Sequence, residues 1–194
     1  MSVALQRTYT PEDLLAMPDG KIYELEDGRL LRRELSVISS WVGGRLHRFL
    51  DIFGDDHKLG WAWPSDVGYL CFPDSPRKVR RPDVSFIRSG RLPGGLLPDS
   101  GFCVTAPDLA VEVLSPQEKA HRVQKKVVEY LGAGVQLVWV IDPVNRSAHV
   151  YRRDGSVTWL REDDELSGED VIPVFRCRLA SILPEKPVEQ ETHR

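Results

Sequence analysis

The chain has 194 residues, 41% of them hydrophobic and 28% charged, with a formal net charge of −3. That length suits one domain with a buried core, and the charge excludes a general electrostatic attraction to nucleic acid, so such a role needs a local basic patch. No apolar run approaches the roughly 20 residues that span a bilayer, and the start MSVALQRTYT lacks the charged head and apolar middle of a secretory signal.

The expected location is therefore cytoplasmic, with no membrane partner. Cys71, Cys103 and Cys177 are odd in number and form no C-x-x-C pair, which argues against a zinc site or a disulfide framework.

Thr10-Pro11-Glu12-Asp13 reads as a helix start, with Thr as cap, Pro in the first turn and acids beside the positive end of the dipole. That short helix ends near Met17. Lys21 to Leu25 and Arg29 to Leu35 then flank Asp27-Gly28 as a hairpin, with Glu24 in its first strand. Ser36 to Phe53 is helical by period, its apolar set being Val37, Trp41, Leu46, Phe49, Leu50 and Phe53. Gly43-Gly44 weakens that helix but allows close packing.

Trp61 to Phe72 and Val84 to Ile87 read as strands. Between them lies a basic, proline-containing run in which Arg77, Lys78, Arg80 and Arg81 form the one strong candidate for a nucleic-acid patch, against the blander reading of a solvated face. Arg88 to Gly101 is a Gly- and Pro-rich loop.

The segment Ala106 to Pro143 reads as strand, helix, glycine stop and strand. Leu109, Val111 and Val113 share one face of the first strand, and Ala110, Glu112 and Leu114 share the other. Both faces are apolar except at Glu112, so the strand is interior and its carboxylate loses hydration. The helix, about 118–131, has Ala120, Val123, Val127 and Leu131 as its buried stripe; Tyr130 and Lys126 stack at the edge of that face, with Arg122 outside it. Val135 to Ile141 returns as a parallel interior strand, which implies a right-handed crossover.

A further hairpin turns at Asp154-Gly155. An acidic 162–170 segment, a short strand near Val174 and a polar tail over 184–194 complete the chain. The expected architecture is a single α/β domain over 1–183, with a mixed central β-sheet flanked by helices.

Phosphate-loop, dinucleotide, nucleophile-elbow and H-E-x-x-H signatures are absent, and His47, His57, His121, His149 and His193 lack ligand spacing. What stands out is acids at strand positions followed by a lysine. Arg81-Pro82-Asp83 puts Asp83 at the mouth of a strand, and about 29 positions later comes Glu112, far enough for a loop and a return to an adjacent strand.

Paired carboxylates repel unless a cation lies between them, and hard oxygen ligands suit Mg²⁺ or Mn²⁺. A nearby ammonium such as Lys126 could orient or deprotonate water and stabilise charge on phosphorus. Against this, Asp83 could cap the turn after Pro82, and Lys126 could snorkel from the helix edge.

Five stretches add a resemblance: YELEDG (23–28), RRPDVSF (80–86), APDLAVEVLSP (106–116), KVVEYLGAGV (126–135) and VWVIDP (138–143). In that order, they resemble the Uma-type restriction endonucleases of the PD-(D/E)xK nuclease superfamily. The resemblance implies a restriction-endonuclease-like fold and a metal-dependent endonuclease acting on DNA, often as a homodimer. Asp83 and Glu112 would be metal ligands for Mg²⁺ or Mn²⁺, and the Val113 carbonyl a further oxygen.

The superfamily lysine usually stands two residues after the acid, where this chain has Leu114; the family resembles a variant in which a helix lysine takes over, which Lys126 matches, and the sequence leaves open the adjacent Lys125, which helical periodicity points elsewhere. Glu24 matches an acid that completes the site. Arg122 stands where the family often has an acid. The competing expectation is a catalytically inactive nucleic-acid-binding or interaction protein on the same fold, binding through 77–81. A hydrolase of small substrates has no positive feature beyond the same carboxylates.

Overall fold

The computed structural model describes residues 7–34 and 36–186. Leu35, the end of the polar tail and His193 lie outside them. Thr10 caps α1 (Pro11–Ala16) in a capping box: its hydroxyl accepts from the Asp13 N–H while the Asp13 carboxylate accepts from the Thr10 N–H.

A 3₁₀ turn over Gly20–Ile22 delays the next strand, so the hairpin pairs β1 (Tyr23–Glu26) with β2 (Arg29–Arg32). Asp27 and Gly28 take φ of 49° and 79°, the left-handed pair that a tight hairpin turn requires. Backbone hydrogen bonds in both directions between Leu25 and Val79 tie this hairpin to the body.

The main sheet has six strands in the order β3 (Gly60–Pro64), β4 (Val84–Arg88), β5 (Leu109–Val113), β6 (Leu137–Asp142), β7 (Ser147–Arg152) and β8 (Val157–Arg161). Only β5 and β6 run parallel, as the strand–helix–strand segment requires; the other neighbours are antiparallel. The strand expected to reach Phe72 stops at Pro64, because proline gives no ladder donor. Beyond it Tyr69 makes isolated bridges to Arg80 and Cys103.

One face of the sheet is covered by α2 (Val37–Asp56), which buries Val42, Leu46 and Leu50 against Val84, Phe86, Leu109, Val111 and Val113. The apolar set expected on this helix is half wrong. Val37, Trp41 and Phe49 face solvent, and small Ser39, Gly43 and Gly54 face the sheet. Gly54 shows why: an added Cβ would lie 2.9 Å from the Phe86 ring. The helix sits too close for large side chains there, and Arg45 stacks over the displaced Trp41 and Phe49 rings instead.

The other face is covered by α3 (Ala120–Gly132), through Val123, Val127 and Tyr130 against Ala110, Val138 and Val140. Ala120 is exposed and Leu131 half-buried, so the stripe centres on Tyr130 rather than passing beside it. A small antiparallel pair, β9 (Glu165–Ser167) with β10 (Arg176–Arg178), and α4 (Leu179–Ile182) close the end of the α2-side core. Among the described residues no helix is long and apolar enough to cross a membrane.

Candidate active site

The site arises where β5 outruns β4. Their pairing ends at Val84–Val111, while β5 continues beside β6 through Glu112 and Val113. The overhanging backbone needs partners on its open side, and Asp83 supplies them. Its N–H donates to the Val111 carbonyl at 2.8 Å, and its carboxylate accepts from the Val113 N–H at 2.8 Å. Asp83 therefore does bind the backbone at a strand mouth, but the carboxylate is also placed on the α3 side of the sheet, level with Glu112.

Glu112 is 3% exposed and accepts two hydrogen bonds, from Lys126 Nζ at 2.8 Å and from the Tyr130 hydroxyl at 2.7 Å. One turn of α3 separates these donors, so both reach the same carboxylate. The lysine also lies 3.4 Å from Glu24, which β1 brings over the cleft and which accepts from the Arg81 N–H at 2.9 Å. Lys125 also lines the cleft but pairs with Glu26 rather than Glu112. Asp83, Glu112, Lys126 and Glu24 thus come together in one cleft of about 560 Å³, between the β1–β2 hairpin and α3.

Their proton affinities differ by surroundings. Burial pushes the Glu112 carboxyl up to about 7; Lys126 opposes this, while the neighbouring Asp83 and Glu24 charges add to it. Burial likewise raises Asp83, against the opposing pull of the Val113 N–H and Arg33. It also raises Glu118, which lies near Lys126 at the cleft wall. Glu24 behaves oppositely: burial would raise it, but Lys126, Arg80 and the Arg81 N–H together hold it low. For Lys126, burial is outweighed by Glu112 and Glu24, so the amine stays protonated.

The donor set fits a small hard cation. Each oxygen of Asp83 and of Glu112 accepts one protein hydrogen bond, whereas an ionised carboxylate offers about four acceptor sites. Among the described residues no group of three or more His, Cys, Asp or Glu side chains is arranged as a ready cage. Mg²⁺ is ordinarily held by one or two carboxylates, with water and substrate oxygens completing the shell.

One expectation needs correction. The 77–81 run is not a free basic patch: Lys78, Arg80 and Arg81 are buried, and only Arg77 is exposed. Arg80 donates to Glu129, Glu24 and Glu26, and Lys78 pairs with Glu129 at 2.6 Å. Arg80 reaches the cleft but is taken up by these acids; the other cations there are Arg29 and Arg32 of β2, Arg33 just after it, and Arg122, Lys125 and Lys126 of α3. Arg33 is a site residue that the sequence reading passed over; it donates to Asp83 at 3.1 Å and to the Ser65 carbonyl at 3.3 Å. The three arginines bracketing β2 were the visible signal.

A family model described as Uma2, putative restriction endonuclease, matches residues 11–180. The fold is similar to the crystal structure of a putative nuclease belonging to DUF820 from Anabaena variabilis ATCC 29413, with a TM-score of 0.74 and 19% identity, covering 89% of this chain and 96% of that one. No curated protein matches the chain.

Proposed function

The chain belongs to the Uma2 family of putative restriction endonucleases, and from that premise we propose that it is a Mg²⁺- or Mn²⁺-dependent endonuclease hydrolysing phosphodiester bonds in DNA. Asp83 and Glu112 would hold the ion, with the Val113 carbonyl as a further oxygen. When bound, such an ion polarises a phosphoryl oxygen and makes water a better nucleophile.

The chain's own residues do the rest. Tyr130 and the Val113 N–H fix the directions of the two carboxylates. Lys126, held protonated between Glu112 and Glu24, is a donor for charge that develops on the phosphoryl oxygens rather than a base that takes a proton from water. Glu24 orients that ammonium.

The observation that carries this reading is the convergence of Asp83, Glu112, Lys126 and Glu24, which are far apart in sequence, on one cleft. Asp83→Ala and Glu112→Ala should each lower cleavage of plasmid DNA, in Mg²⁺ or Mn²⁺, by at least about 100-fold. Calorimetric Mn²⁺ binding should be lost with it. Unchanged cleavage in both variants would sink the site assignment.

A second reading rests on a specific observation: protein cations already sit on both candidate ligands, Arg33 on Asp83 and Lys126 on Glu112. A catalytically inactive nucleic-acid-binding protein would show that pattern, and it would bind DNA without binding Mn²⁺. Cutting both strands of a duplex takes two sites, so the active reading also expects a homodimer on DNA.

A further inference from the structure

Four cations reach the floor or inner wall of the cleft, and their partners separate them. Arg80 is 2% exposed and gives Nε, Nη1 and Nη2 to Glu129, Glu24 and Glu26. Lys126 lies between Glu112 and Glu24. Lys125 is on Glu26. Each of these is taken up by carboxylates of the fold.

Arg33 is different. A guanidinium carries five N–H donors in a rigid fork. Arg33 gives one nitrogen, Nη2, to Asp83 Oδ1 and another, Nη1, to the Ser65 carbonyl. Among the described residues its Nε has no acceptor. Its side chain is only 8% exposed, yet it lines the cleft directly beside Asp83. Its backbone N–H donates to the Ile22 carbonyl at 3.0 Å, so the hairpin fixes where the side chain starts.

A buried planar fork, anchored by a candidate metal ligand and still holding unused donors, is suited to grip two oxygens of a tetrahedral oxyanion, which a lysine would contact only as a point charge.

We propose that Arg33 binds a phosphate of the nucleic-acid backbone at the Asp83 side of the cleft, keeping its contacts to Asp83 and Ser65 while its remaining N–H groups take the phosphate oxygens. This rests on the nuclease reading above and adds a substrate-binding residue to it. Exposed Arg29 and Arg32, on the β2 strand that leads into Arg33, also line the cleft and continue the positive track.

The test uses the full chain, a fluorescent DNA duplex and EDTA, so that binding is read without turnover. Arg33→Gln should weaken duplex binding about tenfold and lower the slope of log affinity against log salt by about one, the signature of one lost phosphate contact. Its calorimetric Mn²⁺ affinity should stay within about threefold of the unaltered protein. Arg33→Lys should keep the salt slope and lose about threefold in affinity, since the charge remains and the fork does not.

As a control, Arg152→Gln removes an arginine paired with Glu169 on β7 and should leave the slope unchanged. A glutamine variant with unaltered duplex affinity and slope overturns the assignment. So does one that loses Mn²⁺ binding while its salt slope stays unaltered, because Arg33 would then only orient Asp83.

If Arg33→Gln fails to fold by circular dichroism, the lysine variant decides, and unaltered affinity there overturns the proposal. An unaltered protein that binds neither Mn²⁺ nor the duplex sinks the nuclease reading and Arg33 with it. Both bound normally, with a glutamine variant that matches, sinks Arg33 alone.

Discussion

Two groups of carboxylates meet at Glu24, and the protein treats them in opposite ways. Around Arg80, the acids Glu26 and Glu129 are matched by cations: Arg80 serves both, Lys78 serves Glu129 and Lys125 serves Glu26. Burial alone would raise Glu129, yet the hydrogen bonds from Arg80 and Lys78 hold its carboxyl below the ordinary value.

Around β5 the balance reverses. Asp83, Glu112 and Glu118 all rise above their ordinary values because burial outweighs the cations that reach them. The same fold that neutralises one group leaves the other short of positive charge. Such a shortfall, in a cleft, marks a place suited to a cation or a proton supplied from outside.

The largest effect should come from breaking the matched group. Arg80→Ala leaves Glu24, Glu26 and Glu129 without their shared partner in a buried setting, which typically destabilises by about 3–5 kcal/mol. The midpoint of urea unfolding should fall accordingly. A loss under about 1 kcal/mol would mean that the Arg80 group is hydrated and loosely held, and the contrast with the β5 group would collapse.

A smaller effect separates the groups by pH. The Glu129 carboxyl is held below the ordinary 4.5 in the folded state, so the folded state binds fewer protons than the unfolded one as pH falls toward and below that value. Its stabilising contribution is complete above about pH 4.5 and is lost as the pH drops through the depressed folded value. Glu129→Gln should flatten that acid limb in urea midpoints taken between about pH 3 and 6. An unchanged acid limb would show that Glu129 is not a principal titrating partner of Arg80 and Lys78.

Much of the β5 group was legible in the sequence because its cues are local. Glu112 interrupts an apolar strand, Asp83 follows Arg-Pro at a strand mouth, and the helical period sets Lys126 four residues before Tyr130. The matched group was misread for the converse reason. The basic residues at 78–81 look like a patch until Glu26 and Glu129 arrive from 54 and 49 positions away from Arg80.

No periodicity encodes such pairings. Arg33 was missed likewise, since its place beside Asp83 depends on how the hairpin docks through Leu25 and Val79. On α2 the period was right and half the expected set was not, because the sheet approaches closely at Gly54 and Trp41 and Phe49 lie outward.

The sharpest small effect lies in two adjacent lysines, one from each group. Lys125 is 55% exposed, and its pairing with Glu26 duplicates what Arg80 already provides. Exposed pairs of this kind contribute about 0–1 kcal/mol, so Lys125→Gln should change neither the urea midpoint nor the cleavage rate appreciably.

Lys126 is 14% exposed and reaches both Glu112, at 2.8 Å, and Glu24, at 3.4 Å. Lys126→Gln should abolish cleavage while the neighbouring substitution does not. Equal losses from the two would mean that the ammonium is needed only for the net charge of the cleft. The proposed role of Lys126 depends instead on the 2.8 Å contact that one position on the helix makes and the next cannot.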